Sequence, residues 1–259
     1  MTADRRIVGI IPAHLASVRF PRKILFPFSG LAMIEHVRRR ALMCPSLAEV
    51  FVATCDDEIE EVVRAGGGKV IRTGNHHRNG TSRVAEAVEG LDASHIVLLQ
   101  GDEPLLLPRH VEALAASMLR HPEADAWNAT GDIRDAEELD RHSFVKCSIG
   151  AEDRILYCFR RSPSTAPYDQ QITYIRKILG LFAFTRDSLL SVAAAPPSVV
   201  ELNESIEQMR IIESGRSLVS VPVDVALPSV NEPHEAAIVE EAIRHNPEQQ
   251  ALLRRVLEG

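Results

Sequence analysis

The chain has 259 residues, 45% of them apolar and 25% charged, with four cysteines and a formal net charge of −7. That is the composition of an ordinary soluble globular protein with enough residues to bury a core without staples. Cys44, Cys55, Cys147 and Cys158 are far apart and form no C-x-x-C pair, which excludes a disulfide framework or a structural zinc site and fits a reducing, cytoplasmic location. The acidic balance argues against generic nucleic-acid binding, and Trp127 with three tyrosines offers no stacking surface. No apolar run reaches the roughly 18 residues of a membrane span, and the polar Met1–Arg6 segment does not resemble a signal peptide.

Along the chain, Ile7 to Ile11 is a continuous apolar run, expected of a strand buried on both faces. Helical spacing follows in Met33, Ile34, Val37 and Ala41. Val50 to Thr54 predicts a second strand and Asp57 to Ala65 a helix that Gly66, Gly67 and Gly68 stop. Lys69 to Ile71 is a third strand, Thr81 to Leu91 a helix, Ile96 to Leu99 a fourth strand and Val111 to Leu119 a helix. Strands alternating with helices imply a mostly parallel sheet covered on both faces. The second half is less regular. Phe144 to Ile149 and Ile155 to Phe159 predict two strands around an acidic turn, and Leu181 to Thr185 another. Leu202 to Ser214 predicts a helix closed by Gly215, and Leu218 to Val225 an edge strand carrying Pro222. Helix-forming sequence from Glu235 is interrupted at Pro247. No repeat, linker or composition shift marks a boundary. The expectation is one α/β domain, residues 1–259, with an inserted antiparallel portion at roughly 130–200.

Open parallel sheets bind ligands at the carboxyl ends of their strands, so the loops there carry the chemistry. The loop after the first strand holds Ser17, Arg19, Arg22 and Lys23 within seven residues, beside the small Ala13 and Ala16. Side-chain cations and exposed backbone N–H groups suit an anion. It is neither a G-x-x-x-x-G-K-[ST] loop nor a glycine-rich dinucleotide fingerprint. The second loop, His76 to Arg83, opens a helix that Thr81 is placed to cap. Its paired histidines suggest metal, but adjacent side chains point apart and no third ligand stands near in sequence. An exposed loop before a capped helix is therefore expected. The third loop, Gln100-Gly101-Asp102-Glu103-Pro104, ends an apolar strand in two carboxylates, and a carboxylate there can hold Mg2+ against phosphates. Hydrolase elbows, kinase signatures and H-E-x-x-H are absent.

These loops, in this order, resemble the sugar-acid cytidylyltransferases, most closely the 3-deoxy-manno-octulosonate (KDO) cytidylyltransferases. The family's I-I-P-A-R-x-x-S-x-R-x-P-x-K appears as Ile10-Ile11-Pro12-Ala13-His14 with Ser17, Arg19, Pro21 and Lys23. Its V-A-T-D appears in Val52-Ala53-Thr54-Cys55-Asp56, and its H-x-S-G-T-E-R as His77-Arg78-Asn79-Gly80-Thr81-Ser82-Arg83. The V-Q-G-D-E-P stretch, the most specific, is Leu99 to Pro104. Val145-Lys146 and Glu207-Gln208-Met209-Arg210 match later segments.

The resemblance implies a Rossmann-like GT-A-type nucleotidyltransferase fold with a mixed, mostly parallel sheet. It also implies a homodimer formed largely through the inserted portion. The implied reaction is attack by the anomeric hydroxyl of a 2-keto-3-deoxy sugar acid on the α-phosphorus of CTP, giving a CMP-sugar and pyrophosphate. By that resemblance, Arg19 and Lys23 hold the triphosphate with Ser17, while Ala13, Thr54, Gly80, Thr81, Arg83 and Gln100 frame the nucleotide. Lys23, Arg19 and Asp102 are the implied catalytic residues, Asp102 and position 231 the Mg2+ ligands, and Gly180, Glu207 and Gln208 the sugar contacts. The chain departs from the pattern at His14 (an arginine in the family), Val18, Arg22 (a glycine) and Asn231 (an aspartate). The sugar-binding H-x-G-x-Y becomes Ile178-Leu179-Gly180-Leu181-Phe182. A site that hydrogen-bonds a sugar hydroxyl discriminates through those groups. The expected acceptor is KDO or a related 2-keto-3-deoxy sugar acid, and the departures point to an altered acceptor with KDO itself used poorly. The alternative is a diverged member that has lost catalysis and binds nucleotide.

Overall fold

The computed structural model describes residues 5–77 and 79–258. The chain starts with β1 (Ile7–Ala13), a 3-10 turn at Lys23–Leu25, and a small hairpin of β2 (Pro27–Phe28) and β3 (Leu31–Ala32). Then come α1 (Met33–Ala41), β4 (Glu49–Thr54), α2 (Asp57–Ala65), β5 (Lys69–Arg72), α3 (Gly80–Val88), β6 (His95–Leu98) and α4 (Pro108–Arg120). Next are β7 (Ala126–Gly131), α5 (Ala136–Asp140), β8 (Lys146–Ile149), β9 (Ile155–Phe159), α6 (Tyr168–Gln171) and β10 (Ile175–Thr185). They are followed by α7 (Arg186–Ala194), α8 (Val199–Glu204), α9 (Gln208–Glu213) and β11 (Leu218–Pro222). Two helices close the chain, α10 (Glu235–His245) and α11 (Pro247–Glu258). No helix among the described residues is long and apolar enough to cross a membrane.

The residues group into two compact units, one running to Glu112 and resuming at Leu227, the other spanning Ala113–Ala226. In the first unit β1 pairs in parallel with β4 on one side (Ile10 opposite Phe51) and with β6 on the other (Ile7 opposite His95). β5 extends the sheet beyond β4. Ile7, Val8, Ile10 and Ile11 are all buried, as a strand covered on both faces requires. The chain moves outward from β1 to β4 and β5, then returns to β6 on the opposite side of β1. That reversal is a topological switch point, and the loops leaving β1 and β6 diverge around a crevice there.

In the second unit β7 lies between β11, parallel to it, and β10, antiparallel. β10 also pairs antiparallel with β8, and β8 with β9. The antiparallel pairs expected between 130 and 200 are these. β11 sits at the edge, as Pro222 implied. The composition of β7, Ala-Trp-Asn-Ala-Thr-Gly, gave no strand signal, yet all six residues are buried. The helix expected over Leu202–Ser214 is two helices. Ser205 adopts φ 54 and ends the first, whose start is fixed by a Ser198–Glu201 capping box. Arg210 of the second helix then ion-pairs with Glu201 of the first (Nε–Oε2 2.7 Å), which needs the chain to fold back.

Candidate active site

At the carboxyl ends of β1 and β6 lies a cavity of about 520 Å3. Of the residues singled out in the sequence, Ala13, Lys23, Gly80, Arg83, Gln100 and Asp102 line it, joined by His14, Asp56 and Asn79. Its centre is an ion pair between Lys23 Nζ and Asp102 Oδ2 at 2.5 Å. Lys23 Nζ also donates to the Val230 carbonyl at 3.1 Å, and Val230 N–H donates to the Asp102 carbonyl at 2.9 Å. Residues from three distant parts of the sequence are thereby fastened together, and Asn231 follows directly on Val230.

The loop after β1 is anchored from below. Asp56 Oδ2 accepts from the backbone N–H of Leu15 at 2.9 Å, and Thr54 Oγ1 accepts from Asp56 N–H at 3.1 Å. Thr54 is fully buried, so it acts through Asp56 and is not part of the cavity wall. Ser17 Oγ accepts weakly from Phe20 N–H (3.4 Å), and Arg19 is exposed; neither lines the cavity. Arg22 occupies φ 60, left-handed space that glycine enters without steric cost and other L-residues enter at about 1–2 kcal/mol. This explains the glycine of the family pattern. Here the Arg22 guanidinium is tied down by an ion pair with Glu58.

At the start of α3 the cap is Asn79, whose Oδ1 accepts from Ser82 N–H at 2.9 Å. The expectation that Thr81 caps this helix is corrected. The helix begins one residue earlier, and Thr81 turns inward with its hydroxyl buried and without a hydrogen-bond partner among the described residues. Gly80 sits so close to Pro12 that a Cβ would meet its Cγ at 3.0 Å. Arg83 is buried and held by Thr73 Oγ1 (2.6 Å) and the Gly74 carbonyl (3.1 Å), leaving a fixed cation at the cavity wall. The expectation for the paired histidines is also corrected. Their rings lie together, centroids 4.3 Å apart, and Glu86, one helical stretch on, joins them.

Electrostatically the cavity mixes Lys23 and Arg83 with Asp56 and Asp102. The His14 imidazole is pushed below its usual range by desolvation and by Arg83 and Lys23, against the pull of Asp56 and Asp102. It is therefore neutral at neutral pH. Burial, with Asp102 alongside, pushes the Glu103 carboxyl up to about 8, so Asp102-Glu103 is not a double anion near neutrality.

The sugar-side residues of the sequence reading lie in the second unit. Asn128 of β7 organises them. Its Nδ2 donates to the carbonyls of Leu179 (2.8 Å) and Ala129 (2.8 Å), and its Oδ1 accepts from Gln208 Nε2 at 3.1 Å. Gln208 and the carbonyls of Leu179 and Leu181, on either side of Gly180, thus meet at one residue absent from the sequence expectations. The β7–β10 register shifts between Ile178 and Phe182, where the family's polar pair is replaced. Glu207 stands at the start of α9.

Residues 8–218 match the family model described as Cytidylyltransferase. The fold and the strand-end cavity are thus those of a nucleotidyltransferase. The 3-deoxy-manno-octulosonate cytidylyltransferase of Escherichia coli is 37% identical over 228 residues, 88% of this chain and 92% of that protein. The 8-amino-3,8-dideoxy-manno-octulosonate cytidylyltransferase of Shewanella woodyi is 35% identical over 235 residues, 89% of this chain and 96% of its own. A solved CMP:2-keto-3-deoxy-manno-octonic acid synthetase, complexed with CTP, superimposes with a TM-score of 0.87 at 35% identity. That match covers 92% of this chain and 98% of the other. The chain belongs to the 3-deoxy-manno-octulosonate cytidylyltransferase family of sugar-acid cytidylyltransferases.

Proposed function

We propose that the protein transfers the cytidylyl group of CTP to the anomeric hydroxyl of KDO or a related 2-keto-3-deoxy sugar acid. One new O–P bond forms at the α-phosphorus, the bond to the β-phosphate bridge breaks, and pyrophosphate leaves with the hydroxyl proton passing to solvent. The observation that carries this is the Lys23–Asp102 pair in the cavity at the β1/β6 switch point, walled by the loops that carry the family pattern. Catalysis at phosphorus is mostly positioning and charge neutralisation. Lys23 and Arg83 supply cations at the cavity wall, and Arg19, exposed on the first loop, supplies a third outside it. The small Ala13, Ala16 and Gly80 on the cavity wall would let a nucleotide approach the backbone closely.

Asp102 would hold Mg2+ as a hard carboxylate ligand, and Asn231, next to the Val230 whose N–H bonds the Asp102 carbonyl, would add its amide oxygen. The Lys23 ammonium already sits where that carboxylate attracts a cation. When bound, Mg2+ would neutralise phosphate charge. Asn231 contributes no charge. Its own backbone N–H and that of Glu232 donate to Glu235 Oε2, at 2.6 and 2.9 Å, so Glu235 brings a carboxylate to this turn.

For the acceptor, the relatives described above act on KDO or its 8-amino derivative, and that class is the proposed one here despite Ile178 and Phe182. The altered-acceptor expectation finds no support in them. A homodimer is proposed through the second unit, where the edge strand β9 exposes Leu156 and Tyr157. The four free thiols fit the cytoplasm. The test is pyrophosphate release from CTP with KDO and its 8-amino analogue. Turnover is expected in the wild type, with a loss far beyond tenfold in folded Asp102→Asn. Undiminished turnover in that variant would remove Asp102 from the mechanism.

A further inference from the structure

We infer that His76, His77 and Glu86 form a binding site for a divalent transition-metal ion of the zinc class, at the rim of the active-site cavity. One ring nitrogen of each histidine and a Glu86 carboxylate oxygen all lie within 4.8 Å of one another. Three nitrogen and oxygen donors converging this way, with room for water, are the composition of an open zinc site. Hard-oxygen ions such as Mg2+ prefer all-oxygen ligands, as proposed at Asp102, over imidazole nitrogens.

The hydrogen-bond network sets the donors. Ser82 Oγ donates its single proton to the Asn79 carbonyl at 3.1 Å. At 3.2 Å from His77 Nδ1 it can therefore only accept, which assigns the ring proton to Nδ1. His77 Nε2 then faces Glu86 Oε2 in direct contact. Two lone pairs cannot meet there without a cation between them. A proton on Nε2 would satisfy that pair alone. The His76 ring, tilted 35° against His77 with centroids 4.3 Å apart, adds a third donor that a proton does not need and a metal does.

The surroundings are built to hold this arrangement. Gly74 N–H donates to both Glu86 carboxylate oxygens, at 3.0 and 3.1 Å. Burial raises the Glu86 carboxyl, but the Gly74 N–H and a cation shared with His77 Nε2, a proton when no metal is bound, outweigh it and hold the carboxyl below its usual range. Any Cβ at residue 74 would come within 2.5 Å of the His76 ring, so glycine leaves the ring its place. Partners of this outer kind orient ligands and typically carry about 10–100-fold in metal affinity. Because His77 and Asn79 also line the cavity, an ion here fixes one of its walls.

The test is calorimetric titration of zinc into the untagged, chelator-treated full chain, with Mg2+ in excess to occupy any oxygen site at Asp102. One zinc per chain is expected, with Co2+ giving the visible absorption of a four-coordinate site. His76→Ala and Glu86→Gln each remove a direct ligand and should each weaken zinc binding at least tenfold, no less than the roughly 10–100-fold lost with an outer partner. Zinc should raise the unfolding temperature of the wild type and not of the variants. Absence of saturable zinc binding, or zinc binding unchanged in both variants, would overturn the assignment and leave a His77–Glu86 ion pair. CTP affinity measured on the same zinc-free samples tests the nucleotide reading separately.

Discussion

Replacing Lys23 with alanine tests the centre of the site. The side chain makes two interactions, a 2.5 Å ion pair with Asp102 and a 3.1 Å hydrogen bond to the Val230 carbonyl. A charge-assisted contact to phosphate contributes about 1.5–3 kcal/mol, or roughly 10- to 150-fold in affinity. Lys23 must loosen its hold on Asp102 to reach a triphosphate, so the lower part of that range applies, and CTP binding should weaken about tenfold. The same substitution leaves the Asp102 carboxylate without its ammonium partner. Mg2+ affinity should therefore rise while turnover falls, a split that simple misfolding cannot produce. Loss of the bond to Val230 costs about 1 kcal/mol, a fall of roughly 2–4 °C in unfolding temperature. Calorimetry with CTP and with Mg2+, alongside a thermal melt, reads all three. Unchanged CTP affinity, or Mg2+ affinity that falls, would refute the reasoning.

Three further outcomes are expected. Asn231→Asp should raise Mg2+ affinity, because a carboxylate is the stronger hard-cation ligand, and a titration showing no gain would place residue 231 away from the metal. CTP should bind more tightly as pH falls through the imidazole range. The lowered His14 ring is neutral above that range, and phosphate draws a proton onto it. His14→Arg should supply that cation at every pH, so the wild-type and variant affinities converge in acid; a constant ratio between them would exclude His14. Asn128→Ala should raise KM for the sugar acid more than for CTP, since it frees Gln208 and leaves the Leu179 carbonyl unpaired, at a stability cost of about 1–3 kcal/mol. Equal effects on both substrates would count against a positioning role.

Much of the first unit was legible in the sequence. Buried parallel strands are continuous apolar runs, and Ile7–Ile11 and Ile96–Leu99 carry that signature whatever surrounds them. The loops at their ends could be named for the same reason, because strand ends are where an open sheet binds ligands. The second unit was harder. β7 is built from small and polar residues whose burial depends on partners elsewhere, and no local pattern reports that Asn128 bonds Gln208 across 80 positions.

Residue identity and order determined the class of chemistry: the cations of the first loop, the Asp102-Glu103 pair, and the neutral Asn231 where a carboxylate is usual. Tertiary structure alone decided which of these meet. Lys23, Asp102 and Val230 touch because β1 and β6 are neighbours across a switch point, a pairing that chain order does not encode. The helix start at Gly80 was shifted by one residue through the Asn79 side chain, a contest between two adjacent capping groups that propensity does not resolve. His76 and His77, which alternate on an extended chain, converge on Glu86 because the loop bends back until Gly74 reaches that carboxylate. Local sequence fixes what each group can do, while long-range contacts fix where its lone pairs and charges point.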